Sequence, residues 1–438
     1  MFSHGLDRAR NPLASRAWGV GLGSIIAVAV AAALVSARTL PFALAVTVAA
    51  FLAAAGARGN LAAAVPRRGP VLWHVAAFLL YALASASWAI EPATSFLMTS
   101  LAILVALGAF VLCQLFAAEA RPNLLHIGEG AWAGFLVGLL YLFVEVVSDQ
   151  SLKIWVYNMV GIAPGEAPHE QYLGWAGDKL VWISREDLSR NMAPLTLFLW
   201  PAVMAIVGTL ARRWAMLVSG LTVALTGAVV MLAWHETSKL TLVAGAAAFL
   251  GALVAPRPTG RVLMIGWVTV CLAMLPAALL AHRLGLHEAS WIQLSAGHRI
   301  IIWNHTAEQV LKAPLSGVGA RTTYVLGPLL ELQTVGQPEA ARLRTLSAHS
   351  HSIYLQTWFE LGLVGAALLT LLGLALLQAI RTFAPPLQPY AYATFTSAAV
   401  MAASSYGMWQ IWFVSMFGFS AALFGLGRTL MLGRAEDS

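Results

Sequence analysis

Apolar windows of about twenty residues, the length that crosses the hydrocarbon core of a bilayer, recur along nearly the whole chain. Twelve can be placed, near 18–36, 39–56, 71–90, 94–117, 124–147, 191–210, 214–234, 239–255, 262–281, 352–380, 388–405 and 409–430. Arg38-Thr39 with Pro41 separates the first two, and Ser404-Ser405-Tyr406-Gly407 the last two. Two long hydrophilic stretches, about 148–190 and about 282–351, interrupt the pattern. Composition agrees, because 59% of residues are hydrophobic, 10% are charged and mean hydropathy is +0.76. A soluble domain carries about 25% charged residues. The expected fold is therefore an all-α integral membrane protein, a single polytopic domain over 1–438 with about twelve spans and two long external loops.

The first apolar segment follows Arg8, Arg10 and Arg16, and Val35-Ser36-Ala37 imitates a signal-peptide cleavage site. Its length and the spans behind it favour a retained first span. Cys113 and Cys271 both fall in spans, so the sequence offers no disulfide framework and no cysteine-rich metal site. Orientation follows from arginine. With a cytoplasmic N-terminus, the inner connections hold fourteen arginines, from Arg8 to Arg434, and the short outer loops hold Arg38 and Lys239. That asymmetry obeys the positive-inside rule and places both termini in the cytoplasm. The remaining cations, Lys153, Lys179, Arg185, Arg190, Arg283, Arg299, Lys312, Arg321, Arg342 and Arg344, all lie in the two outward gaps.

Most of those outward charges read as solvated loop residues, balanced by acids such as Asp149, Glu186, Asp187, Glu288 and Glu339. Arg190 and Arg299 stand apart. Arg190 precedes Asn191 where a span begins, and Arg299 opens the amphipathic stretch His298-Arg299-Ile300-Ile301-Ile302-Trp303-Asn304-His305. An arginine held at the membrane surface suits a lipid-linked phosphate, because its planar fork makes bidentate charge-assisted bonds. The run Ala348-His349-Ser350-His351-Ser352 then brings imidazoles to the point where a polar loop enters an apolar helix. A neutral imidazole there is suited to taking a proton near pH 7. His349 and His351 with His298 or His305 could instead bind a metal, but the outer loops contain no Asp-x-Asp pair and no cysteine, so no metal is expected.

Four motifs in order, Ser238-Lys239, Gly297-His298-Arg299 with Trp303, Ala313-Pro314-Leu315-Ser316-Gly317-Val318-Gly319, and His351-Ser352 with Gly362 and Gly365, resemble the O-antigen ligase and polymerase superfamily. The resemblance covers roughly 180–370 by motif and the whole chain by span count and loop placement. It implies a GT-C-like membrane glycosyltransferase of the bacterial inner membrane with its active site on the periplasmic face. Such an O-antigen ligase transfers a glycan from undecaprenyl pyrophosphate to a terminal sugar of lipid A–core in lipopolysaccharide assembly, without nucleotide, metal or other cofactor. The implied partners are that donor, that acceptor and membrane lipids, with no nucleic acid. The family histidine maps onto His351 and the pyrophosphate-binding arginines onto Arg190 and Arg299. Some relatives carry arginine where this chain has Lys239, which offers a point charge rather than a fork.

An acceptor hydroxyl needs a base, whereas pyrophosphate leaves readily once its growing charge is neutralised. The expected mechanism is one inverting displacement at the anomeric carbon, with His351 as base and Arg190, Arg299, Lys239 and Arg321 on the pyrophosphate. His349 is expected to orient the acceptor or to support His351. Trp303 and Trp291 are candidates for stacking on sugar, although tryptophan in such a chain more often marks the membrane interface. Gly317-Val318-Gly319 reads equally as a phosphate cradle and as a tight turn. Glu145 and Glu360, inside spans, are expected to pair within the bundle. Two other functions fit less well. A polymerase would use the same donor with a second lipid-linked glycan as acceptor, and a transporter would show repeated halves, broken helices and midplane charges.

Overall fold

The computed structural model describes residues 12–166, 170–333, 349–404 and 406–436. Arg8, Arg10, Glu339, Arg342, Arg344, Ala348 and Ser405, named above, lie outside the described residues. The elements in order are α1 (Pro12–Val35), α2 (Leu40–Ala57), α3 (Pro70–Ser85), α4 (Pro92–Ala117), α5 (Arg121–Val147) and α6 (Ser151–Val160). A hairpin of β1 (Leu173–Ala176) and β2 (Lys179–Ile183) follows, then α7 (Ser189–Thr209), α8 (Arg212–Leu232), α9 (Glu236–Val254) and α10 (Pro256–Arg283). The chain closes with α11 (Leu294–Val310), α12 (Thr322–Gln333), α13 (Ile353–Arg381), α14 (Gln388–Ala403) and α15 (Ile411–Glu436). Helices α2, α3, α4, α5, α10 and α14 each carry proline in the first turn. There its fixed φ suits the helix and its missing N–H would have no partner anyway.

Among the described residues, eleven helical stretches are long and apolar enough to cross a membrane, one fewer than the windows counted from sequence. The exception is α14, whose sixteen residues fall short of a full span. A proline-bearing turn, Pro385–Leu387, delays its start. At its other end the chain turns away at Ser404, whose carbonyl accepts a hydrogen bond from Thr237 Oγ1 at 2.5 Å.

Connections alternate between two ends of the bundle. Among the described residues, one end gathers 36–39, 86–91, 148–166, 170–188, 233–235, 284–333, 349–352, 404 and 406–410; the other gathers 58–69, 118–120, 210–211, 255 and 382–387. At the second end, Arg58 grips Glu119 with two bonds of 2.7 and 2.8 Å. Arg121 there donates to the Leu430 carbonyl and Arg434 to those of Val207 and Leu210. Arg434, and Arg58 through the Ala54 carbonyl, are cations closing helix C-termini.

Helix α7 is the spine: every residue from Asn191 to Ile206 is buried, as an all-round apolar helix must be in the centre of a bundle. Helices α1 and α5 cross at backbone contact. A β-carbon on Gly130 would lie 2.0 Å from the Gly23 carbonyl oxygen, and one on Gly134 2.3 Å from that of Ala27. Small residues four apart on both helices permit this approach. In the first polar gap, Asn158 on α6 bonds both the N–H and the carbonyl of Leu180, at 2.9 and 2.8 Å. The β1–β2 hairpin is thereby pinned beside the loop-rich end.

Candidate active site

A cavity of about 950 Å³ opens at the loop-rich end. Arg38, Arg190, Lys239 and Arg299 line it together with His235, His349 and His351. Each cation sits at or beside a helix end. Arg190 lies in the first turn of α7, where Asn191 Nδ2 donates to the carbonyls of Leu34 and Val35 at 2.8 and 2.7 Å. That bond ties the start of the spine to the last carbonyls of α1. Lys239, in the first turns of α9, pairs with Glu236 at 2.7 Å. Arg299 on α11 donates to Ser404 Oγ at 3.1 Å, and no carboxylate pairs with it among the described residues.

The histidine loop is held from three sides. Ser352 caps α13 by accepting from Leu355 N at 3.4 Å, and Ser350 Oγ donates to the Ser352 carbonyl at 2.8 Å. Trp303 Nε1 donates to the Ser350 carbonyl at 2.9 Å. His349 packs on Gly407, where a β-carbon would approach its own at 2.9 Å. His351 has φ of 56°, a left-handed conformation uncommon outside glycine. The two rings meet edge to face with centroids 4.1 Å apart.

Burial and the nearby Arg190 and Arg299 push the His349 imidazole down to about 4, so it is neutral at pH 7. His235, whose Nδ1 is 2.7 Å from Ser238 Oγ, is pushed down to about 3 by burial and then by Arg299. Burial lowers Arg299 and raises the Tyr406 phenol. The cavity thus combines fixed positive charge with two imidazoles, His235 and His349, that do not add to it, an arrangement suited to an anion.

The two glycine motifs form one joint. Gly362, at φ 64° and ψ −162°, breaks α13. The break frees two carbonyls and two N–H groups inside the bundle, and the segment 314–319 satisfies all four. Val318 N and Gly319 N donate to the carbonyls of Phe359 and Glu360 at 3.1 and 2.9 Å. Leu363 N and Val364 N donate to those of Pro314 and Leu315 at 2.8 and 3.4 Å. A β-carbon on Gly317 would lie 2.4 Å from the Glu360 carbonyl carbon. Gly-x-Gly here is a backbone clasp, which decides between the two readings of that motif. A broken helix, expected only of a transporter, is therefore present, with its freed groups filled by protein backbone.

Glu360 completes the joint. Its carboxylate accepts from Arg321 N at 2.8 Å, Thr323 N at 3.1 Å, Gln356 Nε2 at 3.0 Å and the Trp409 indole. Glu145 is fully buried on α5, one turn from Tyr141.

Of the residues singled out from sequence, His349, His351, Arg190, Arg299 and Lys239 share the cavity wall. Arg321 does not. It lines a smaller adjoining cavity of about 370 Å³, pairs with Glu91 at 3.2 Å and lies over the Tyr324 ring at 4.5 Å. Trp303 is likewise off the cavity wall, and its indole braces the histidine loop. Trp291 is 78% exposed and lines neither cavity. His235, Arg38, Tyr157, Tyr406 and Gln410 line the main cavity without having been singled out. Their signal was available: each sits in or beside a connection on the side that carries the long gaps.

Residues 188–370 match the family model described as O-antigen ligase. That region is similar to the O-antigen ligase family. The ligase-family stretch contains Arg190, His235, Lys239, Arg299 and both loop histidines, and leaves out Arg38, Tyr157, Tyr406 and Gln410. Proteins named "Putative polysaccharide ligase" in Rickettsia conorii and Rickettsia felis are 30% and 29% identical over 125 residues. One in Rickettsia bellii is 28% identical over 122 residues. The matches cover 28% of this chain, and the chain spans about 30% of the length of the first two relatives and 29% of the third.

Proposed function

We propose that this protein is a membrane glycosyltransferase that moves a glycan from undecaprenyl pyrophosphate to a terminal sugar of lipid A–core, at the periplasmic face of the inner membrane. One observation carries the reading: the basic, histidine-lined cavity lies beside a smaller cavity that borders an apolar groove. The smaller cavity shares Arg38, Arg190, His349 and Gln410 with the main one. Trp409 lines both that smaller cavity and a groove of about 330 Å³ whose lining includes Phe78, Trp267, Leu369, Phe413 and Phe417. A lipid pyrophosphate needs such a sequence of surfaces, a cationic seat for the head and an apolar track for the tail.

In this reading His351 takes the proton from the acceptor hydroxyl as its oxygen attacks the anomeric carbon. The bond from that carbon to the pyrophosphate oxygen breaks, with inversion. Arg190, Arg299 and Lys239 hold the departing diphosphate, with Arg321 in the smaller cavity beside the groove. His349, neutral and pushed down to about 4, is too weak a base for this proton and supports the His351 side instead. The family resemblance and the fourteen arginines on the other connections support the periplasmic assignment.

The test is reconstitution with purified undecaprenyl-pyrophosphate glycan and lipid A–core, read by gel mobility, with EDTA and without nucleotide. Transfer to core is expected. Strict dependence on a divalent ion, or growth of the lipid-linked glycan instead of transfer to core, would overturn the ligase reading. Reporter fusions after residues 170 and 330 should be periplasmic and those after 67 and 213 cytoplasmic.

A further inference from the structure

We infer that the wall of the same cavity built by Tyr157, Tyr172, Glu186 and Asp187 is the subsite for the acceptor sugar, and that it takes a neutral or amino-bearing sugar rather than a phosphorylated one. The inference rests on the glycan-transfer reading above and deepens it. About 950 Å³ is far more than a diphosphate fills. It lies at the upper end of cavities that enclose whole drug-sized ligands. Arg38, Arg190, Lys239, Arg299 and the imidazoles come from the 37–39 turn, α7, the start of α9, α11 and the histidine loop, whereas Tyr157 comes from α6, with Lys153 beside it paired to Asp187, and Tyr172, Glu186 and Asp187 from the connection that follows it.

Two features separate this wall from the donor side. The adjoining cavity that borders the apolar groove shares Arg38 and Arg190 with the main cavity, but none of Tyr157, Tyr172, Glu186 and Asp187. A lipid tail lying in the groove therefore brings its diphosphate in on the cationic side and leaves the tyrosine wall open. The chemistry of this wall also differs. Asp187 is engaged by Lys153. The exposed Glu186 carboxylate has no partner among the described residues; only its backbone is held, the N–H by Ser184 Oγ at 3.4 Å and the carbonyl by Ser189 N.

An ionised carboxylate only accepts hydrogen bonds, so it suits a ligand rich in donors, such as vicinal hydroxyls or an ammonium group. The faces of the tyrosine rings suit the C–H faces of a pyranose, and their hydroxyls the polar edge. A phosphate placed beside Glu186 would meet like charge. The Arg38 guanidinium acts on the Tyr157 phenol, so the wall ends where the cationic side begins, as juxtaposing an acceptor hydroxyl with a donor anomeric carbon requires.

The test uses the full chain in detergent with two substrates varied separately. Glu186→Gln and Tyr157→Ala should each raise KM for lipid A–core about tenfold, the loss of one charge-assisted or well-packed contact, and leave KM for the lipid-linked donor unchanged. Tyr157→Phe, which keeps the ring, should recover most of the loss if the face does the binding. A second readout needs no turnover: saturation-transfer NMR with deacylated, dephosphorylated core oligosaccharide should show contact that both variants weaken. Phosphorylated oligosaccharide should bind wild type more weakly than it binds Glu186→Gln. An acceptor KM that stays put, a donor KM that rises instead, or equal oligosaccharide binding by wild type and variants would overturn the inference. Absence of any transfer by wild type, with oligosaccharide binding intact and sensitive to Glu186, would count against the transfer reading alone.

Discussion

The two ends of the bundle are both rich in arginine and use it in opposite ways. At one end Arg58, Arg121 and Arg434 are taken up by Glu119, by the carbonyls that close α2 and α7 and by the Leu430 carbonyl within α15. At the other end Arg299, with no carboxylate paired to it among the described residues, lines a large cavity and donates to one serine hydroxyl at 3.1 Å. A cation saturated by the fold stabilises the fold, whereas a cation held over open space is available to an anion. Residue type alone does not distinguish the two. What does is whether the helix ends nearby leave carbonyls to be capped or N–H groups facing the same cavity.

The strongest break of that comparison is at the histidine loop. His351→Ala should lower transfer by a factor on the order of 10²–10⁴ and leave donor binding in place, measured separately in nanodiscs. Near-native transfer by that variant, with His349→Ala inactive, would move the base two residues upstream. Arg299→Ala should weaken binding of the lipid-linked donor about ten- to a hundredfold, the worth of a charge-assisted contact, and slow turnover as well. Arg299→Lys should restore little, because the ammonium cannot reproduce the fork.

At the opposite end the expectation inverts. Arg434→Ala uncaps the carbonyls of Val207 and Leu210 and should cost about 1–3 kcal/mol of stability, seen as a lower unfolding temperature in detergent, with donor affinity unaltered. A changed donor affinity would mean that the two ends are not independent.

The smallest effect is on pH. The folded state holds His349 at about 4 and His235 at about 3, both below the ordinary 6.5. As pH falls below 6.5 the unfolded chain takes up protons that the folded chain refuses, so stability should decline toward pH 4 and level off above 6.5. Thermal unfolding across that range should show the slope, and His349→Gln should flatten it in part.

Much of this was legible in the chain. Twelve apolar windows became the helices that form the bundle, and only α14 proved too short for a span, because Pro385 and Ser404 bound it. The grouping of His349, His351, Arg190, Arg299 and Lys239 was readable because each lies at a junction between polar and apolar sequence. Trp303 and Arg321 carry the same signal yet face away from the main cavity. Trp303 braces the Ser350 carbonyl, and Arg321 is drawn to Glu91. The glycines four apart in α1 and α5 were also readable as a helix-crossing signal and announce contact at Gly23 and Gly130.

By itself the sequence determined that the chain is a helical membrane protein and which connections share one end, because a bilayer tolerates only helices of a set length and odd and even connections must alternate. Only the tertiary structure decided that Gly317 and Gly362 are two halves of one clasp. Only it decided that Glu360 is a backbone knot, and that the tyrosine wall of the first polar gap faces the histidines of the second. Those are contacts between segments far apart in the chain. Hydropathy and spacing record the solvent that each segment meets, and carry no record of which other segment lies across the cavity from it.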